Sequence, residues 1–180
     1  LLLCLFSFQK VEASTYTIQD RTGGTSAQQN FYSTLAISSD GSTIVGAEDN
    51  TGNIWLSSNS GASWTNITAG TALANGYYYY LAVSSSGTTV VTVNADVWVS
   101  TNSGGSWTNT TDGTAADGKT WVGVAVSANG MIIAGSTTAG ELWLSTNGGS
   151  TWNNVSGGRR LLGLNYVVWV CLATVLKSLV

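Results

Sequence analysis

The sequence predicts an all-β fold, a partial β-propeller of about three four-stranded blades. Three observations carry that expectation: a phrase repeated at a near-constant period, apolar alternation of period two around it, and no convincing helical periodicity before residue 160. Ile54-Trp55-Leu56-Ser57-Ser58-Asn59-Ser60-Gly61-Ala62-Ser63-Trp64 returns as Val97-Trp98-Val99-Ser100-Thr101-Asn102-Ser103-Gly104-Gly105-Ser106-Trp107. It returns again as Leu142-Trp143-Leu144-Ser145-Thr146-Asn147-Gly148-Gly149-Ser150-Thr151-Trp152. Ser57 and Ser100 are 43 residues apart, Ser100 and Ser145 are 45 apart, and each copy spaces its two tryptophans by nine. A period of that size marks a propeller or solenoid, in which each repeat buries its apolar face only against its neighbours.

Each repeat divides into four strands. The first is expected at 35–38, 81–84 and 124–127, where apolar and small residues alternate. Ser39-Asp40-Gly41, Ser85-Ser86-Gly87 and Ala128-Asn129-Gly130 follow, and Asp-Gly and Asn-Gly signal tight two-residue hairpins. The second strand is expected at 43–46, 89–92 and 132–135, the third carries the first tryptophan of the phrase, and the fourth begins at Trp64, Trp107 or Trp152. Four antiparallel strands per repeat make one propeller blade, so blades are expected at about 31–68, 77–111 and 120–156. An orphan strand near 15–19 resembles the closing strand of a further blade. Three blades cannot close a ring, which points to blades in further sequence or to self-association of several copies.

The phrase itself is a turn. Gly61, Gly104 and Gly149 permit a backbone that a Cβ would strain, Asn59, Asn102 and Asn147 bond back to nearby main chain, and Ser57, Ser100 and Ser145 open each copy. Trp64, Trp107 and Trp152 are expected to insert between sheets. An indole buries roughly 150–250 Å², which at about 25 cal/mol per Å² is on the order of 4–6 kcal/mol as an upper bound. A turn hydrogen bond contributes about 1 kcal/mol, so the tryptophans should dominate.

The phrase resembles the Asp-box (BNR) repeat, Ser-x-Asp-x-Gly-x-Thr-Trp, of sialidases, sortilin-type receptors, xyloglucan hydrolases and photosystem II assembly factors. The resemblance covers roughly residues 31–158, with Asn in place of Asp in all three copies and Ser63 and Ser106 in place of Thr. Asn keeps the acceptor oxygen without the charge, so weaker turn bonds are expected. In that family the box is a structural hairpin remote from the active site, so it speaks for fold. The sialidase catalytic set, three arginines with a Tyr/Glu pair and an Asp, has no counterpart in a repeat region whose one arginine is Arg21.

Composition excludes other chemistries. The chain has no histidine, which removes a Ser-His-Asp triad and a His-based zinc site. Cys4 and Cys171 both lie outside the repeats. Between residues 14 and 158 two cations, Arg21 and Lys119, face eight acids, a balance unsuited to nucleic acid or anionic lipid. No cofactor and no metal site is expected, the Asp/Asn turns lacking the spacing of a calcium loop.

Residues 1–13, an apolar run ending Val11-Glu12-Ala13, read as the remainder of a signal peptide, and hence a secreted protein. Residues 159–180 break the pattern with a hydrophobic stretch that reads as a gene-model artefact, a membrane anchor or a degenerate blade. Candidate binding residues are Tyr32, Tyr78 and Trp121, one aromatic per blade, where long linkers deliver the chain toward the axis; they either stack on a ligand or pack between blades. Asp96 and Glu141 suggest an acidic ring on the same face, and Asn66, Asn109 and Asn154 head N-glycosylation sequons. The function expected is a non-catalytic recognition or scaffold module binding glycan or protein. The alternatives are a fragment of a sialidase-like glycoside hydrolase and a lumenal photosystem II assembly factor-like protein.

Overall fold

The computed structural model describes residues 22–24, 32–49, 51–74, 76–78 and 80–157. The leader at 1–13, the strand expected near 15–19 and the tail at 159–180 lie outside the described residues. Among these residues there are twelve strands and no helix, in three antiparallel four-stranded sheets, each a meander in chain order. Blade 1 holds β1 (Tyr32–Ile37), β2 (Ile44–Glu48), β3 (Ile54–Ser57) and β4 (Thr65–Asn66). Blade 2 holds β5 (Tyr80–Val83), β6 (Val90–Val93), β7 (Val97–Ser100) and β8 (Thr108–Asn109). Blade 3 holds β9 (Trp121–Val126), β10 (Ile133–Thr137), β11 (Leu142–Ser145) and β12 (Asn153–Asn154). The strands β1, β5 and β9 contact one another in turn and form the inner edge.

The core lies between blades, as period-two alternation requires. Val45, Ala47, Ile54 and Leu56 on one face of blade 1 pack against Leu81, Val83, Trp98 and Trp107 of blade 2. Val91, Val93, Val97 and Val99 on the opposite face of blade 2 pack against Val126, Ile133, Trp143 and Trp152 of blade 3. At both junctions the tryptophans come from the later blade, Trp98 and Trp107 at the first and Trp143 and Trp152 at the second. Leu73 and Ala116, carried by the linkers after β4 and β8, are fully buried plugs at corresponding positions.

The first hairpin of each blade departs from the two-residue turn read from sequence. Only the glycine is left-handed, with φ of 73° at Gly41, 77° at Gly87 and 78° at Gly130. The Gly41 N–H donates to Ser38 O, and the Ser38 hydroxyl oxygen accepts from Thr43 N at 2.9 Å, ending the ladder with a side chain. Asp40 accepts from the Ser38 hydroxyl at 2.6 Å and from Ser42 N at 3.0 Å. Asn129 repeats this arrangement with Ser127 and Met131. Neighbouring tips are tied together, Ser39 N donating to Ser85 O and Ser85 N to Ala128 O.

The repeated phrase folds identically three times. The Ser57 hydroxyl accepts from Gly61 N at 2.8 Å, and Asn59 Oδ1 accepts from Ser63 N at 2.8 Å. Ser100 with Gly104 and Asn102 with Ser106 repeat these bonds, as do Ser145 with Gly149 and Asn147 with Thr151. The weaker turn expected from Asn is offset by a bond Asp cannot donate: Asn59 Nδ2 reaches Ser63 Oγ at 2.8 Å, with counterparts at Ser106 and Thr151. Two consecutive residues in each turn are left-handed. They are Ser60 and Gly61 (φ 56° and 86°), Ser103 and Gly104 (55° and 85°), and Gly148 and Gly149 (66° and 95°). A Cβ on Gly104 would stand 2.6 Å from the Ile67 side chain, and one on Gly149 would stand 2.9 Å from that of Thr110, so the turns of blades 2 and 3 are pressed onto the outer edge of the preceding blade.

Ser60→Gly removes a left-handed penalty and should stabilise the fold by about 0.5–1 kcal/mol, net of the added unfolded-state freedom. Gly104→Ala adds both strain and a clash and should cost more than about 1 kcal/mol; urea midpoints check both. The Asp40 carboxyl, held by the Ser38 hydroxyl and by Ser42, lies at about 2 against an ordinary 3.8. Its contribution is therefore complete above the ordinary value and lost as pH falls through about 2. The Tm difference between wild type and Asp40→Asn should be constant from pH 5 to 7 and shift against wild type between about pH 4 and 2.

Candidate functional site

A cleft of about 270 Å³ opens between blades 2 and 3 on the side where the linker after β8 returns to the inner edge. Tyr77, Tyr80 and Asn94 line it from blade 2, and Lys119, Thr120 and Trp121 from blade 3, with Val93 among the apolar contacts. The volume is at the small end for a ligand pocket, fitting one sugar ring or one to two side chains. Tyr77 is 60% exposed and forms an accessible aromatic wall. Lys119 is fixed in place: its ammonium lies 3.0 Å from Glu141 Oε2 and 5.2 Å from the Trp143 ring centroid. Burial works to raise the Glu141 carboxyl, but the hydrogen bond from Lys119, the Trp143 indole N–H and the Lys119 charge outweigh it, so its pKa lies below the ordinary value. The cleft thus offers an aromatic surface, an ammonium already neutralised by Glu141 and an amide, suited to a neutral ligand with an apolar face and polar edges.

Of the two readings open for the three aromatics, stacking on a ligand and packing between blades, Tyr78 and Trp121 take the buried one. Trp121 is 4% exposed and Tyr78 is 2% exposed, so neither presents a ring face to solvent. The cause is a β-bulge. Trp121 pairs with Thr137 and Gly123 with Ser136, so Val122 is extra, and the bulge turns the Trp121 ring onto Gly135, where a Cβ would stand 2.5 Å from the ring. A matching shift at Ser33 lays the half-buried Tyr32 over Gly46. Tyr78, in the blade with Thr92 at that position, donates its hydroxyl to Leu73 O at 3.0 Å, and burial raises its pKa to about 12. The ring of Trp121 lies 6.0 Å from that of Trp152 at 56°, an edge-tilted pair that fills the space between blades 2 and 3. Of the three, Trp121 still borders the cleft from beneath. Tyr77, Asn94 and Lys119 are the additions; the strand-2 glycines opposite an aromatic, Gly46 and Gly135, were the sequence signal for the buried rings.

The acids are committed to the fold. Asp96 Oδ2 accepts from Asn109 Nδ2 at 2.9 Å and Oδ1 from the Thr111 hydroxyl at 3.1 Å. Glu141 accepts from Asn154 Nδ2 at 3.4 Å, and Asn53 holds Asn66 in the same way at 2.9 Å. Each sequon asparagine thus ties the outer strand to the start of the third strand, and its Oδ1 caps the following turn through Thr68 N, Thr111 N or Ser156 N. Thr68 and Thr111 are fully buried, whereas Asn154 is exposed. The buried Glu48 accepts from the Trp55 indole at 2.6 Å and from the Thr51 hydroxyl. Among the described residues no group of three or more Cys, Asp or Glu is placed to hold a metal ion.

No protein-family model matches the chain, and no curated protein does. Solved structures do. An ancestral GH74 enzyme superposes with a TM-score of 0.56 at 21% identity, covering 70% of this chain and 18% of that one. YCF48 bound to a D1 peptide gives 0.56 at 12% identity, covering 69% of this chain and 39% of that one. The WD40 repeats of RRP9 give 0.54 at 15% identity, covering 69% and 38%. The chain is a part of a β-propeller. It spans well under half the length of these neighbours, and at such identities the likeness concerns fold alone.

Trp121→Ala empties the space over Gly135 and should cost about 3–5 kcal/mol of stability, read from chemical denaturation. Tyr77→Ala, at an exposed ring, should change stability by less than about 0.5 kcal/mol.

Proposed function

We propose that this propeller segment is a non-catalytic recognition module whose cleft between blades 2 and 3 takes a carbohydrate ring or an equivalent flat polar group. The observation that carries this reading is the pairing of the exposed Tyr77 ring with the fixed Lys119 and Asn94 across an open cleft. Stacking on one aromatic face with polar contacts at the ring edge is how such a shallow site gains affinity, and it suits weak binding reinforced by multivalency. The acids nearest the cleft are tied into hydrogen bonds of the fold, which supports a binding role over acid–base chemistry. Export from the cytoplasm belongs to the same reading, with Asn154 as the sequon most open to a glycan.

The test is a glycan array followed by titration calorimetry on any hit. Tyr77→Ala and Lys119→Ala should each weaken binding at least about fivefold, near 1 kcal/mol, with thermal stability unchanged in Tyr77→Ala and only slightly lowered in Lys119→Ala, which loses a partly exposed ion pair. Hits that bind both variants as well as wild type overturn the cleft as the site.

A second reading, a piece of a glycoside hydrolase whose catalytic residues lie in other blades, draws on the fold shared with the GH74 enzyme. Turnover of a fluorogenic glycoside by this chain would favour it. A scaffold of the YCF48 kind, a neighbour printed as bound to a D1 peptide, is the protein-binding version of the first reading.

A further inference from the structure

The hairpin between the second and third strands differs in length from blade to blade. In blade 1, Ala47 pairs with Ile54, which leaves the six residues 48–53 between them. In blade 3, Ser136 pairs with Leu142, which leaves the five residues 137–141. In blade 2, Val93 pairs with Val97, and only the three residues Asn94, Ala95 and Asp96 remain. The long loop of blade 1 closes on the linker that leads to blade 2. A Cβ on Gly52 would overlap the Gly76 carbonyl, and one on Gly76 would overlap the Tyr78 hydroxyl, so loop, linker and ring touch in sequence. The short turn of blade 2 stops short of its linker. Val93, Asn94 and Ala95 line one side of the cleft and Gly118, Lys119 and Thr120 another, and Asp96 reaches the linker through Gly118 N at 3.4 Å, a long bond.

A polar group is left over at the same place. Tyr78 and Trp121 each stand three residues before the matching Leu81 and Val124 of their first strands. The Tyr78 hydroxyl donates to Leu73 O, within the fold. The Trp121 indole N–H is buried and has no acceptor. The indoles of Trp98 and Trp152 and the Ser136 hydroxyl share that condition among the described residues, but of the four only Trp121 lines the cleft. Buried donors are almost always paired, and one left unpaired beside a cleft is a place where a ligand oxygen completes the count.

We propose that the three-residue turn of blade 2 is what opens the cleft, and that its ligand is a sugar ring carrying an N-acetyl group, whose carbonyl oxygen accepts from the Trp121 indole N–H. This rests on the reading of the cleft as a carbohydrate site and adds the class of sugar. An acetamide joins a strong neutral acceptor to a methyl group, and Val93 and Ala95 give the cleft an apolar lining for the methyl. The Lys119 ammonium, occupied by Glu141, calls for no carboxylate on the ligand. Tyr77 remains the stacking face.

The probes are methyl N-acetyl-β-glucosaminide and methyl β-glucoside, titrated into the full chain with nitrogen-15 in its indoles. The Trp121 signal is assigned by nuclear Overhauser effects from its ring to Gly135. It should move saturably with the N-acetylated sugar, and the plain glucoside should bind at least about tenfold more weakly. Replacing residues 94–96 by the sequence of residues 48–53 should abolish binding, with the other indole signals in place to show the fold intact. Equal affinity for the two sugars overturns the proposal, as does binding that leaves the Trp121 signal unmoved or survives in the lengthened turn. No binding of the N-acetylated sugar at about 10 mM overturns it too. If other glycans then bind in a manner that Tyr77→Ala weakens, the cleft stands as a carbohydrate site and only the class of sugar falls; if none does, both fall.

Discussion

The indole of Trp107 is held by the blade before its own. Its N–H donates to Ile67 O at 3.0 Å, its ring packs in the core shared with blade 1, and the adjacent Gly104 admits the Ile67 side chain at a distance no Cβ would tolerate. Trp152 likewise packs in the core shared with blade 2 and Gly149 admits the Thr110 side chain, although the buried Trp152 indole N–H makes no such bond. Everything else in the fold is arranged around this one contact between a box turn and the neighbouring outer strand. The left-handed pair in each box aims the tryptophan, the serine and asparagine lock that pair, and the alternation of the strands supplies the rest of the apolar surface.

The inner edge contributes a second, smaller bond between blades. Hairpin tips exchange main-chain hydrogen bonds from Ser39 to Ser85 and from Ser85 to Ala128, each contributing about 1 kcal/mol against several for a buried indole. The sheets therefore meet at two radii, by hydrogen bonding near the axis and by tryptophan burial at the rim. The cleft opens where the returning linker, plugged by Ala116, leaves space between Tyr80 and Trp121. It is a by-product of that geometry.

The architecture was legible in the sequence because repetition multiplies a weak signal. One Ser-x-Asn-x-Gly turn says little, but three in register with alternating strands fix the order, the pairing and the tryptophan roles. The site was less legible, because it depends on backbone irregularities that leave no mark in alternation. A single extra residue, Val122, decides between the two readings of Trp121 by turning its ring onto Gly135 and the space between blades, and Ser33 lays Tyr32 over Gly46. The wider first hairpins are a similar case: Asp40-Gly41 reads as a two-residue turn, yet the Ser38 hydroxyl competes for the Thr43 N–H and opens the loop. The sequon asparagines, whose spacing suggested modification, turn out to have structural partners in Asn53, Asp96 and Glu141.

Because the seal of each blade belongs to the next one, the order of synthesis has a consequence. Ile67 and Trp107 are 40 residues apart, so blade 1 leaves the ribosome complete in strands but with its apolar trailing face uncovered until the last turn of blade 2 has emerged. Domains that fold from their N-terminus during synthesis ordinarily close each unit before the next begins. Here the nascent chain always carries one open blade, and the interval in which a stray apolar segment can occupy it is the time needed to translate a single repeat.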